Sequence, residues 1–150
     1  MIHLRNDVRR SGIDARRLRR TTRKLLQAAG EGGSHLSLSL VDDDQMREIN
    51  RKHRGIDRPT DVLSFPLQDD RVSTPASPER HIGDVVISLE TAKRQAAEYD
   101  APVENELYRL LIHGLLHVLG HDHEAPPERA AMEREERRLA AAIGMPWPYD

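Results

Sequence analysis

Between Val103 and Leu119 the chain reads VENELYRLLIHGLLHVL, polar at its start and apolar nearly all round afterwards. A helix without a polar face has to be wrapped by other elements, so this segment is expected to form the buried centre of the fold. The same segment presents an obstacle to burial. HGLLHVLGHDH, residues 113–123, holds four of the chain's eight histidines. One buried imidazole is commonly satisfied by a hydrogen bond, but each unsatisfied imidazole in so apolar a helix costs on the order of 1–3 kcal/mol.

A shared metal ion removes that cost. His113 and His117 are four apart, which on a helix stacks them on one face, close enough to share one ion. His121 on a continuous helix would lie roughly 12 Å of axial rise from His113, whereas zinc–nitrogen bonds are only about 2.0–2.1 Å. The third ligand therefore comes from beyond a chain reversal, which Gly120 permits, and His123 can fold back from that turn. With no cysteine in 150 residues, neutral imidazoles favour zinc, with nickel, copper or cobalt as alternatives. Structural zinc sites are usually closed by four protein ligands, mostly including cysteine, while catalytic sites keep three and a water. This donor set favours chemistry over scaffolding. The spacing is shared with the metzincin proteases, but their catalytic glutamate is replaced here by Gly114, so the peptidase base is missing.

The remaining pattern alternates between periods of two and 3.6. IHLRN (2–6) reads as a short strand, and a basic helix follows at about 12–29. HLSLSLV (35–41) alternates strictly, and Asp42 can cap a helix that ends near Gly55. Two more strands are expected over 62–67 and 81–89, with a polar, proline-bearing loop between them at 68–80. Ser88 can cap the next helix, Pro102 precedes the histidine-bearing one, and residues 126–144 close the chain as a helix between proline and glycine. These elements predict one α+β domain over residues 1–150: a small mixed sheet of about four strands with about five helices, and a zinc site on a central buried helix and the following turn.

Composition narrows the classes. Zero cysteines exclude disulfides and thiol catalysis, in keeping with a reducing cytoplasm. MIHLRNDVRR lacks the apolar core of a signal peptide, and no apolar run approaches the length of a membrane span. The net charge of −2 hides an asymmetry: residues 1–30 carry nine bases against Asp7 and Asp14, net +7, and the other 120 carry 14 against 23 acids, net −9. The basic helix, with Ile13, Leu18, Leu25 and Leu26 at helical intervals, is either a solvated surface helix or a contact for nucleic acid or the ribosome.

HGLLHVLGHDH resembles the zinc-holding signature of the YbeY family of metal-dependent endoribonucleases and ribosomal RNA maturation factors. NRKHRGIDRPTDVLSFP (50–66) and GDVVIS (83–88) are similar to two further blocks of that family, in the same order, so the likeness extends from about residue 36 to 140. The resemblance implies that His113, His117 and His123 bind one Zn2+ ion and that Arg54 lines the same cleft. It implies a cytoplasmic hydrolase cutting single-stranded RNA in maturation of the small-subunit ribosomal RNA 3′ end and in ribosome quality control, with ribosomal proteins as partners. His121 stands where the family often has tyrosine, and Val118 where a larger Leu or Met is common.

Chemistry supports those roles. Zinc can lower the pKa of its bound water to about 7, and an arginine fork matches phosphoryl oxygens bidentately, which makes Arg54 the candidate catalytic clamp. Asp57, Asp61 and Asp84 are candidates for turn or capping roles as well as for substrate contact, and Asp122 for orienting a ligand histidine. Asp42, Asp43 and Asp44 read as a cap and a solvated first turn. The alternative to an enzyme is a non-catalytic, zinc-stabilised ribosome assembly factor that binds RNA through the basic helix.

Overall fold

The computed structural model of the chain describes residues 1–67, 80–147 and 149. Of the loop expected at 68–80, all but Arg80 lies outside the described residues. The described elements are β1 (Ile2–Asn6), α1 (Ala15–Ala28), β2 (His35–Val41), α2 (Asp43–Arg54), β3 (Val62–Pro66), β4 (His81–Ser88), α3 (Leu89–Glu98), α4 (Val103–Val118) and α5 (Pro126–Ala142). The sheet order is β1-β2-β4-β3. β1 and β2 pair in parallel, as do β2 and β4, while β3 runs antiparallel to β4. This is the α+β architecture with a mixed four-stranded sheet that the alternating periods predict.

The strand period decides which face of the sheet is covered. Leu36, Leu38 and Leu40 of β2 are fully buried, while Ser37 and Ser39 alternate to the other side. On the leucine side, Leu18, Leu25 and Leu26 of α1, Leu107, Leu110, Leu111 and Leu115 of α4, and Met132 and Leu139 of α5 join one core. α4 packs against β3, β4, α3 and α5, which accounts for its lack of a polar face. Each fully buried leucine there contributes about 1.5–3 kcal/mol. The other side of the sheet carries a smaller cluster of Val41, Met46, Leu63 and Val86, with Met46 supplied by α2.

The caps follow the residues that precede each helix. Asp14 accepts from the Arg16 and Arg17 amides at 3.0 and 3.2 Å. Asp42 and Gln45 form a reciprocal capping box at the start of α2, and Ser88 accepts from the Thr91 amide at 3.3 Å. Asp43 departs from the solvated role expected of it. Its carboxylate accepts hydrogen bonds from Ser88 Oγ at 2.6 Å, Thr91 Oγ1 at 2.7 Å and Arg94 at 2.8 Å. It thereby ties the N-terminus of α2 to the β4–α3 junction. Within DDD no local pattern separates this residue from its exposed neighbour Asp44.

Burial pushes the Asp43 carboxyl up, but the Ser88, Arg94 and Thr91 hydrogen bonds and the Arg94 charge outweigh it and hold the group below its usual value of 3.8. A depressed folded-state pKa gives stability that is fully present above the unfolded value and is lost as pH falls through the folded one. Asp43→Ala is expected to cost about 2 kcal/mol at pH 7, because it strands the Ser88 and Thr91 hydroxyls. Urea denaturation of the two proteins should show that gap closing below about pH 3.8.

Candidate metal centre

α4 places His113 and His117 one turn apart on the face that looks into an open cleft of about 500 Å3. Their Nε2 atoms are 3.1 Å apart. Gly120 then adopts φ +97°, and its amide and that of His121 return to the carbonyls of His117 and Leu116 at 3.0 and 2.9 Å. This reversal is the one that the glycine predicts. It brings back His123, whose backbone is held by Asp122 Oδ1 on its amide at 2.7 Å and by Arg129 on its carbonyl at 3.0 Å. One ring nitrogen from each of His113, His117 and His123 lies within 4.8 Å of the others, so the three could hold a metal ion.

The donor set fits a cation of zinc's size. Ligands about 2.0–2.1 Å from a tetrahedral ion lie about 3.3 Å from each other, close to the His113–His117 separation. Among the described residues no fourth histidine, aspartate or glutamate joins the group. Burial and the neighbouring rings of His113 and His123 lower the pKa of His117 against a raising hydrogen bond with the His121 backbone. The neutral form, which a metal requires, is thereby favoured. Glu136 of α5 places Oε2 3.7 Å from His113 Nδ1. A carboxylate on that side favours the tautomer with a proton on Nδ1 and a free lone pair on Nε2.

A second histidine group shows what convergence means. His3, His35 and His81 meet on the opposite face of the sheet. His3 Nε2 and His35 Nδ1 are also 3.1 Å apart, but their ring centres are 5.4 Å apart with planes at 22°. Those nitrogens face each other along the line of centres, as in a direct hydrogen bond. The His113 and His117 centres are 4.6 Å apart with planes at 77°, so their lone pairs can turn to a common point.

Gly114 explains the missing peptidase glutamate. A Cβ at this position would lie 2.8 Å from Val85 Cγ1 and 3.2 Å from Val62 Cγ2. The helix meets the sheet there without space for any side chain.

Arg54 lines the cleft as expected of it. It is the last residue of α2, and Gly55, at φ +71°, turns the chain away after it. Asn50 Nδ2 donates to the Arg58 carbonyl at 2.8 Å and so holds the returning loop. Arg54 is exposed and has no ion pair among the described residues. Of the three uncertain aspartates only Asp61 lines the cleft. Asp57 pairs with Arg47 at 2.8 Å, and Asp84 lies 3.4 Å from His81, away from the cleft. Asp122 caps the turn rather than a ligand ring, and Glu136 is the carboxylate beside His113. His121 lines a neighbouring depression instead of the cleft.

Sequence pattern alone does not single out Arg109, one turn before His113 on the same face of α4 and part of the cleft wall. Its guanidinium pairs with the fully buried Glu106 and lies 4.7 Å over the Tyr149 ring. Burial works against the arginine's charge, but the bond to Glu106 outweighs it and raises its pKa. Burial together with Glu106 pushes the Tyr149 hydroxyl up to about 12. Gln95 accepts from Arg109 at 3.4 Å and donates to Asp61 at 3.2 Å, which ties this wall to the loop before β3. A Glu and an Arg three apart, where the helix passes from its polar start to its apolar stretch, are the one signal that could have found this pair.

Residues 3–144 match the sequence profile of the family described as Endoribonuclease YbeY. The chain belongs to that family. An endoribonuclease YbeY of Halorhodospira halophila is 41% identical over 139 residues, covering 93% of this chain and 89% of that protein. One from Myxococcus xanthus is 54% identical over 113 residues, 75% of this chain but only 38% of that longer relative. The solution structure of a Thermotoga maritima protein superposes with a TM-score of 0.60 at 27% identity, covering 94% of this chain and 90% of that one. Membership of an endoribonuclease family agrees with the nuclease and hydrolase expectations. Among the described residues no helix is long and apolar enough to cross a membrane.

Gly114→Ala is expected to destabilise the fold by about 1–3 kcal/mol through overpacking against the stiff Val85 side chain, although alanine is the better helix former by about 1 kcal/mol. Thermal or urea denaturation measures the net effect, and a neutral or stabilising result would contradict the close contact.

Proposed function

We propose that residues 1–150 act as a single metal-dependent endoribonuclease domain that cuts a phosphodiester of single-stranded ribosomal RNA precursor, near the small-subunit 3′ end, in the cytoplasm. The same activity would serve ribosome quality control. In this reading His113, His117 and His123 hold one zinc ion and Arg54 is the catalytic arginine. The observation that carries it is the convergence of three ring nitrogens at a cleft that Arg54, with no ion pair among the described residues, also lines.

When bound, zinc supplies a Lewis acid that brings the pKa of water down to about 7. The chain's own residues do the rest. His113, His117 and His123 present one ring nitrogen each, and the Glu136 carboxylate lies 3.7 Å from the other nitrogen of the first. Arg54, exposed and without an ion pair among the described residues, grips two phosphoryl oxygens and stabilises the charge that gathers on them as phosphorus is attacked. The Arg109–Glu106 pair shapes part of the wall as a net neutral unit, and Arg54 brings an exposed positive charge to a lining that also holds Asp61, Asp122 and Glu124. The absence of a side chain at Gly114 supports phosphodiester over peptide chemistry, since the position of the protease base is filled by the sheet.

His117→Ala is expected to lose both bound metal and RNA cleavage, by elemental analysis and gel assay. Arg54→Ala should stay folded and keep its metal while cleaving on the order of 10²–10³ times more slowly. Normal cleavage by the Arg54 variant would remove the clamp. Undiminished cleavage by chelated, still-folded protein would remove the metal. End groups of the product separate attack by water from attack by the neighbouring ribose 2′-hydroxyl, since a 2′,3′-cyclic phosphate excludes direct attack by water.

A further inference from the structure

α1 carries a charge that the cleft does not use. Its buried face is Leu18, Thr22, Leu25 and Leu26. At about 3.6 residues per turn, Arg20 falls directly opposite that face, with Arg16 and Lys24 flanking it and Arg23 further round, and all four are exposed. Neighbouring cations are engaged: Arg17 pairs with Glu104 at 3.2 Å and Arg19 donates to the Ile2 carbonyl at 3.0 Å. Among the described residues the four outer cations have no such partner.

This arrangement does not serve the helix itself. Like charges at i, i+4 repel one another. The first turn holds arginines and no acid, the reverse of what the helix dipole favours. A polyanion laid along the stripe relieves both penalties. Residues 1–30 are net +7 and the rest net −9, so the attractive potential is concentrated at this end. A second depression, of about 590 Å3, is lined by His117 and His121 beside the metal centre and by Ala29 at the end of α1. Glu31 also lines it, with its charge matched by Arg80 at 2.6 Å.

We propose that the outer face of α1 is an exosite for the phosphate backbone of single-stranded RNA. Long RNA is then held at two places and short RNA only at the cleft. The identity of the polyanion rests on the nuclease reading above.

The test combines Arg16→Gln, Arg20→Gln, Arg23→Gln and Lys24→Gln in the full chain, glutamine preserving helix propensity. Binding of a single-stranded RNA of about 30 nucleotides is measured against salt. The slope of log affinity on log salt should become shallower by about 3, at roughly 0.7 for each phosphate no longer neutralised. KM for that RNA should rise about tenfold or more, while kcat and the rate on an RNA of about six nucleotides stay unchanged. Melting temperature should hold or rise as repulsion is relieved, and Arg20→Glu alone should move slope and KM in the same direction. Unchanged slope and KM overturn the exosite. So does a variant that keeps its RNA slope but no longer cosediments with ribosomal particles, which assigns the stripe to a protein partner. The slope reads binding without cleavage, so a failed exosite with intact cleavage is distinct from a failed nuclease reading with an altered slope.

Discussion

Close packing of α4 on the sheet at Gly114 is the contact on which the rest of the molecule depends. A helix that is apolar on every side can be accommodated only in the middle of the fold, and its approach to Val85 and Val62 requires the one residue that has no side chain. Once α4 is seated, its exposed edge is narrow, and the two imidazoles on that edge are committed to one cleft. Their spacing, the reversal at Gly120 and the turn capped by Asp122 then bring a third ring to the same place. The site is thus a product of how the core is filled, with little freedom left to the loop.

Two kinds of positive charge meet the cleft, and they are prepared differently. Arg109 is neutralised by a buried glutamate, braced by Gln95 and laid over an aromatic ring, so it gives shape with little net field. Arg54 stands at a helix end beside a left-handed glycine and has no ion pair among the described residues. A buried pair is a costly way to make a wall, but it adds little net charge to a cleft whose lining also holds Arg54, Asp61, Asp122 and Glu124.

Features carried by local period and spacing were legible in the sequence. The strict alternation of HLSLSLV predicts a half-covered strand, and β2 has those bounds. The capping residues Asp42 and Ser88, the helix stops at Gly55 and Gly120, and the meeting of His113, His117 and His123 all follow from short-range pattern. Features that depend on which elements become neighbours were not legible. Asp43 sits among three identical residues and differs only because Ser88, Thr91 and Arg94 come to it from 45 or more positions away. Glu136 lies in a run of alternating charges that reads as solvated, yet the packing of α5 on α4 turns it towards His113. Asp122 adjoins a ligand candidate, so a role on the ring was a natural expectation; its own turn offered it nearer donors.

The anchor at Asp43 and the guanidinium at Arg54 are the two ends of one helix. Twelve residues at about 1.5 Å each make a rod of about 18 Å, tied at its base to the β4–α3 junction, seated on the sheet through Met46 and carrying Arg54 at its tip. A tilt of about 5° at the base of such a rod would swing its tip by about 1.5 Å, more than half the length of a hydrogen bond. The direction of the arginine therefore depends in part on a carboxylate at the far end of the helix, which does not line the cleft.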